Sequence, residues 1–322
     1  REVVMGFYIK GTGMYVPPRV VTNDELSEFV ETNDEWIRQR VGVEQRHIST
    51  NEWTSEMACK AARNALDNAG IQVSDLDLIL SATVSAETVS PSVACMVQHD
   101  LGATCCAFEI NAACSAFLFL LETAAGFFAR GKVRNVLVVG AERLSGILDW
   151  TDRSTCVIFG DGAGAAVLSD DRGCYLDSTM TVHGGDDVIK IPHFVGSCPF
   201  FEKEAEKPYI HMKGQETFKY AVTAMGTDIT ELMTRNGLTA EDIRYIVPHQ
   251  ANKRIIDLAA KRTGIPVEKF AVNIQKYGNT SSASVPIMLD ELNREGKLNR
   301  GDLLILSAFG GGLANAACLL RW

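Results

Sequence analysis

Cys114 lies in the run Ala107-Phe-Glu-Ile-Asn-Ala-Ala-Cys-Ser-Ala-Phe-Leu-Phe-Leu-Leu121. Residues 107–110 read as a short buried strand and 117–128 as a helix buried on most faces. The thiol therefore falls at a strand-to-helix turn, near the positive end of a helix dipole and near free backbone N–H groups. That setting is expected to lower the thiol pKa and make the sulfur a nucleophile, with small neighbours leaving room for a substrate. Free cysteine is also among the most buried residue types, so position alone leaves a structural cysteine and a reactive one equally open. Two other residues carry chemistry of a complementary kind. His249 sits in Val247-Pro-His-Gln-Ala-Asn252 and Asn279 in Tyr277-Gly-Asn-Thr-Ser281. Taken singly, His249 reads as a satisfied histidine and Asn279 as a turn residue.

What could bring these groups together is an internal repeat. Residues 68–80 align with 235–247: Gly70 with Gly237, Asp75 with Asp242, Ile79 with Ile246, an offset of 167 (242 − 75). Residues 132–139 match 299–306 at the same offset. Strand, helix, strand, helix, strand follow in both copies. The expected fold class is α/β, with two duplicated βαβαβ-type halves, 1–172 and 173–322, mainly parallel sheets and sites at strand ends. His249 ends the second-copy strand that matches 76–82, and 277–281 corresponds to the Cys114 turn. A pseudo-twofold arrangement would let Cys114, His249 and Asn279 converge in one cleft.

Along the chain, the spacing predicts a strand over 4–10 and a turn at Gly11-Thr-Gly13. Helix-start signatures stand at Thr22-Asn-Asp-Glu25 and Thr32-Asn-Asp-Glu35. Helices are expected over 54–69, 92–101, 215–235, 252–263 and 281–295. Strands are expected over 76–82, 133–140, 245–247, 270–273, 303–308 and 316–320. Residues 155–159 and 163–168 read as a hairpin about Gly160-Asp-Gly162. That Gly160-x-Gly162-x-Gly164 run precedes a strand-like segment, which excludes a dinucleotide-binding loop. Residues 170–173 read as a turn and 184–213 as irregular.

Composition narrows the partners. The 322 residues predict two structural units, and 46% hydrophobic residues suffice for a large core. A formal net charge of −9 argues against nucleic acid. Nine cysteines without a zinc-like CxxC pair fit a reducing cytosol. No segment reads as a signal peptide, Met5 is a candidate start, and the longest apolar run, 112–121, is too short to span a bilayer.

Five motifs in order carry a resemblance that covers nearly the whole chain. They are Asn111-Ala-Ala-Cys114, Phe159-Gly-Asp-Gly-Ala-Gly-Ala165, Val247-Pro-His-Gln-Ala-Asn252, Tyr277-Gly-Asn-Thr-Ser-Ser-Ala-Ser284 and Phe309-Gly-Gly-Gly312. Asp34-Glu-Trp-Ile37 and Arg46-His-Ile48 accompany them. The sequence resembles the thiolase superfamily and, within it, the β-ketoacyl-acyl-carrier-protein synthase III family. The resemblance implies a thiolase-like fold with a layered α-β-α-β-α core. It implies that Cys114 takes an acyl group from acyl-coenzyme A. The backbone N–H groups of Cys114 and Gly311 would form the oxyanion hole. His249 and Asn279 would donate hydrogen bonds to malonyl-acyl carrier protein during decarboxylation, with no metal or redox cofactor. Trp36, Arg40 and Arg153 match positions that hold the coenzyme A nucleotide, although Trp36 alone could be a helix-core residue. Lys253, Arg254, Lys261 and Arg262 would dock the carrier protein, where the plain alternative is a solvated helix face. Ser90 stands where acetyl-preferring relatives carry a bulky aromatic, on a loop that reaches the partner's acyl pocket in a homodimer. A small residue there predicts longer or branched primers. The same residues leave open a condensing enzyme or acyltransferase of secondary metabolism, and a non-catalytic coenzyme A or carrier-binding module.

Overall fold

Strand residues alternate between two hydrophobic layers, and that alternation sets the architecture. The computed structural model describes residues 6–170, 173–193 and 198–322. Met5, the start of the strand expected from residue 4, part of the 170–173 turn with the junction at 172/173, and part of 184–213 lie outside the described residues. The first sheet orders Phe7–Tyr15, Gly162–Asp170, Asn135–Glu142, Leu78–Ala82 and Cys106–Glu109. The second orders Tyr175–Val182, Ala314–Arg321, Leu303–Gly310 and Ile243–Pro248, with Phe270 bridged to Ile246 at its far edge.

Leu78, Leu80, Val136 and Val138 of the first sheet and Leu304 and Leu306 of the second share one core with the Ala116–Ala129 and Ser284–Arg294 helices. Their neighbours in sequence point outward. Ile79, Leu137 and Val139 pack beneath Thr54–Ala69 and Val93–Leu101. Ile246 and Ile305 pack beneath Gly214–Arg235 and Lys253–Thr263. A period of two along each strand thus feeds both faces of each sheet. The result is the expected α-β-α-β-α core.

Helix boundaries follow their caps. Thr22 and Glu25 form a capping box, Asn33 and Ser92 accept N–H groups at their helix starts, and Gly70 and Gly102 close two helices in the left-handed region.

Four expectations need correction. Gly11-Thr-Gly13 is not a turn but the middle of Phe7–Tyr15, which packs against Thr54–Ala69. A Cβ at Gly11 would lie 2.4 Å from Ala69 N, and one at Gly13 would lie 2.2 Å from Ala65 N, so the strand needs glycine to approach the helix. The sheets are mixed, not mainly parallel. Leu303–Gly310 and Ala314–Arg321, joined only by residues 311–313, must run antiparallel. The hairpin about Gly160–Gly162 is absent. Gly162–Asp170 pairs with Phe7–Tyr15 and Asn135–Glu142, while Phe159 bridges Asn279 of the other half. Buried Asp161 holds this corner by accepting from Ser49 N, Ser145 N and Ser145 Oγ at 2.8, 2.9 and 2.6 Å. Finally, 270–273 is not a strand. The Gln250 side chain replaces a neighbouring strand there: it donates to Ala271 O (3.0 Å) and accepts from Asn273 N (3.0 Å) and Ile274 N (3.2 Å).

Candidate active site

Two equivalent turns build the centre of the site. Asn111 Oδ1 accepts from Ala113 N at 3.2 Å, and Asn279 Oδ1 accepts from Ser281 N at 2.8 Å. Ala113 and Ser281 adopt φ of 48° and 50°, a left-handed conformation that such residues hold only where packing imposes it. Each opens a 3₁₀ turn, Ala113–Ser115 and Ser281–Ala283, that runs into a central helix. The second turn corresponds to the first at an offset of 168 (281 − 113), close to that of the sequence repeat. The turns rest on the opposite halves. A Cβ at Gly310 would lie 2.7 Å from Cys114 N, and one at Gly140 would lie 2.4 Å from Ser282 O.

Cys114, His249 and Asn279 line one cavity of about 160 Å³, with Phe309 and Gly310 on its wall. His249 is reached because Ile243–Pro248 ends at the sheet edge of the cavity, and its N–H donates to Ser307 O at 2.8 Å. The ring packs edge-on to Phe309, with centroids 5.3 Å apart at 68°. Nδ1 lies 2.6 Å from Ser284 Oγ. Burial pushes the imidazole down to about 3, so it is neutral at physiological pH. Asn279, with Oδ1 already bonded to Ser281 N, has its Nδ2 donor available to the cavity.

The expected lowering of the Cys114 pKa does not occur. Cys114 keeps contact with the cavity, yet the surrounding protein removes the hydration a thiolate needs, and burial pushes the thiol up to about 12. The Ser281 hydroxyl lies against the sulfur and offsets part of this, whereas the charge of Glu142 adds to it. Ser281 Oγ is buried and meets no well-oriented hydrogen-bond partner. Glu142 is itself wholly buried and is raised by burial, despite donors from Ser85 Oγ (2.5 Å), Ser282 Oγ (2.7 Å), Thr83 Oγ1 (3.1 Å) and Val84 N (3.1 Å).

The other expected residues fall in three places. Arg153 lies 5.5 Å over the Trp36 ring, and the Arg40 carbonyl accepts from Asn252 Nδ2 at 3.0 Å. Asn252 and Ser154, the neighbour of Arg153, both line the Cys114 cavity, whereas Trp36, Arg40 and Arg153 do not themselves line it. Lys253, Arg254, Lys261 and Arg262 are exposed on Lys253–Thr263 around Leu258, which is 40% exposed. Arg254 lies 5.3 Å over Phe218, another cavity-lining residue, and Lys253 is paired with Asp257 at 2.8 Å. Gly311 does not line the Cys114 cavity. It faces an adjoining groove of about 830 Å³ together with Ala113, Thr88 and Val89. Ser90, next in the chain, is exposed, and within one chain it does not reach Cys114. Sequence reasoning assigned no role to Ser281, Ser284, Phe309 and Gly310. All four lie inside the quoted motifs, which was the available signal.

The comparisons with known proteins agree along the whole chain. The model described as 3-oxoacyl-[acyl-carrier-protein] synthase III matches residues 108–184, and the one described as its C-terminal region matches 233–322. A β-ketoacyl-[acyl-carrier-protein] synthase III from Clostridium beijerinckii is 50% identical over 98% of each chain. The structure of a 3-oxoacyl-[acyl-carrier-protein] synthase III from Aquifex aeolicus superposes with a TM-score of 0.92 at 44% identity, over 98% of this chain and 100% of that one. A priming β-ketosynthase from a polyketide pathway superposes with a TM-score of 0.90 at 34% identity, over 98% and 96%. The chain has a thiolase-like fold and belongs to the β-ketoacyl-[acyl-carrier-protein] synthase III family.

Proposed function

We propose that this enzyme is an acyltransferase that starts type II fatty-acid synthesis by decarboxylative Claisen condensation of an acyl-coenzyme A primer with malonyl-acyl carrier protein. The observation that carries the reading is the shared cavity of Cys114, His249 and Asn279. The Cys114 sulfur attacks the primer thioester. Coenzyme A leaves as a thiol, and the acyl group stays on the sulfur. The backbone N–H of Cys114 and a glycine N–H of the 310–312 bend, Gly311 by resemblance, hold the tetrahedral oxyanion. The malonyl thioester then loses CO₂, and negative charge develops on its carbonyl oxygen. His249 and Asn279 donate hydrogen bonds to that oxygen. The carbanion attacks the acyl carbonyl, forming the new C–C bond; the C–S bond to Cys114 breaks, and the thiolate released takes up from water the one proton that the overall reaction consumes. A thiol at about 12 is mostly protonated, so acylation depends on a small thiolate fraction or on proton loss during attack.

Trp36 and Arg153 would take the adenine and phosphates of coenzyme A, with Arg40 beside them. The Lys253–Thr263 face would receive the acidic carrier. A homodimer would complete the acyl pocket with the Ser90 loop of the second copy. Among the described residues, no helix is long and apolar enough to cross a membrane.

Exposure to a mixed acyl-coenzyme A pool tests the central step. An intact-mass increase that is lost in Cys114→Ala supports it; no increase, or one retained in the variant, refutes it. The mass also reports the primer, and kcat/KM across chain lengths should favour primers longer or more branched than acetyl. The 34% identity to a polyketide-priming ketosynthase supports a second reading in secondary metabolism. Activity with a fatty-acid carrier protein but not with other acceptors separates the two.

A further inference from the structure

We infer that Ser284 is a positioning residue that sets the tautomer of His249, so that the ring offers Nε2–H to the cavity. The use made of that donor rests on the function proposed above; the tautomer itself does not. A neutral imidazole carries one ring proton, and the partner of one nitrogen decides which nitrogen holds it. His249 is 1% exposed and held neutral by burial. Its Nδ1 meets Ser284 Oγ at 2.6 Å. That hydroxyl has one proton to give and lone pairs to receive. Gln250 N donates to the same oxygen at 3.5 Å, filling an acceptor site. Among the described residues, the hydroxyl makes hydrogen bonds only to these two groups. Ser284 is 2% exposed, so a hydroxyl proton without an acceptor would pay the desolvation cost of a buried O–H.

Only one proton arrangement satisfies both Nδ1 and the serine hydroxyl. Ser284 O–H donates to Nδ1, and the ring proton sits on Nε2. The opposite tautomer would set the Nδ1 proton and the hydroxyl proton in competition, with no acceptor for one of them. Two constraints fix the ring. Phe309 packs edge-on to it, and Ser284 is the first residue of a central helix whose start is set by the Asn279 turn. His249 is therefore poised as a hydrogen-bond donor toward an oxygen that gains negative charge, not as the resting base for the Cys114 thiol. The serine directly follows the Asn279 turn, so one short segment aligns both donors.

Nitrogen-15 NMR of the full chain labelled at its six histidines reads the tautomer. The His249 signals are those lost in His249→Gln. The expected result is a bare Nδ1 and a protonated Nε2 in the wild type. Ser284→Ala should mix the tautomers and lower malonyl decarboxylation about 10-fold. It should leave Cys114 acylation within about two-fold. Ser284→Thr, which keeps the hydroxyl, should restore both. A protonated Nδ1 in the wild-type spectrum overturns the inference without any variant. So does a Ser284→Ala protein with unchanged tautomer and unchanged decarboxylation. If Cys114 never accepts an acyl group, the functional reading fails while the spectrum still decides the tautomer.

Discussion

Asn111 and Asn279 each accept from an N–H two residues on, Ala113 and Ser281 each stand at a left-handed φ, and each turn feeds a helix of the central layer. The side chains then diverge. In the first turn the third residue after the asparagine is Cys114, which opens on the cavity. At the matching place in the second stands Ser282, whose hydroxyl donates to Glu142 at 2.7 Å and lies 3.1 Å from Ala82 O. Asn279 faces the Cys114 cavity, whereas Asn111 faces the wider groove. The repeat supplies two near-identical backbones. What separates a reactive centre from a structural polar cluster is the void or carboxylate that each side chain meets.

The largest effect should come from exchanging the two third residues. Cys114→Ser combined with Ser282→Cys should lose roughly 10⁴-fold or more in condensation, with no acyl mass on residue 282. Acylation at 282 would show that the two turns are interchangeable. Next come the asparagines. Asn279→Asp puts a negative charge where a donor is needed and should lower decarboxylation about 10²–10³-fold. Asn111→Ala should cost less than about 10-fold, and steady-state rates at saturating malonyl thioester would expose an equal loss.

The pH dependence of folding separates Cys114 of the first turn from His249, which Ser284 ties to the second. His249 titrates near 3 when folded and near 6.5 when unfolded, so the unfolded chain binds the extra proton between those values. Its contribution to stability is present above about pH 6.5 and is lost as pH falls toward 3, by about 1.4 kcal/mol per unit at most. Cys114 behaves oppositely: its contribution is present below about 9 and is lost as pH rises toward 12. Urea midpoints against pH should show His249→Gln flattening the acid limb and Cys114→Ala the alkaline one. Ser282→Ala removes a donor from a buried carboxyl and should destabilise by about 1–3 kcal/mol, read from the same urea curves, while Cys114 acylation stays close to normal. The smallest effect lies outside both turns. Arg254→Glu at the cavity mouth should raise the carrier-substrate KM by about five-fold, equivalent to about 1 kcal/mol, and less at high salt.

Local rules were legible in the chain. Caps at Thr22, Asn33 and Ser92 and stops at Gly70 and Gly102 depend on residues a few places apart, and the 167-residue offset pointed to the duplication. Features governed by the opposite half were not. Gly11 and Gly13 read as a turn because nothing nearby shows the helix they must approach. Residues 270–273 read as a strand because the neighbour that ends it is a side chain, Gln250, twenty residues away in sequence. The Cys114 pKa was misjudged for the same reason. A helix end can be inferred from the local run, whereas the apolar wall contributed by Phe309 and Gly310 cannot. The hydroxyl of Ser284 stood in a recognised motif, but only its distance to Nδ1 gives it a role.

Gly310 and Gly140 have a consequence for how this chemistry can change. Each lets a strand of one half touch the turn of the other at a separation no methyl group could share. The seating of each turn on the opposite half is therefore gauged by bare main chain, leaving side-chain variation free to reshape the walls for new primers without shifting the turns that carry Cys114 and Asn279.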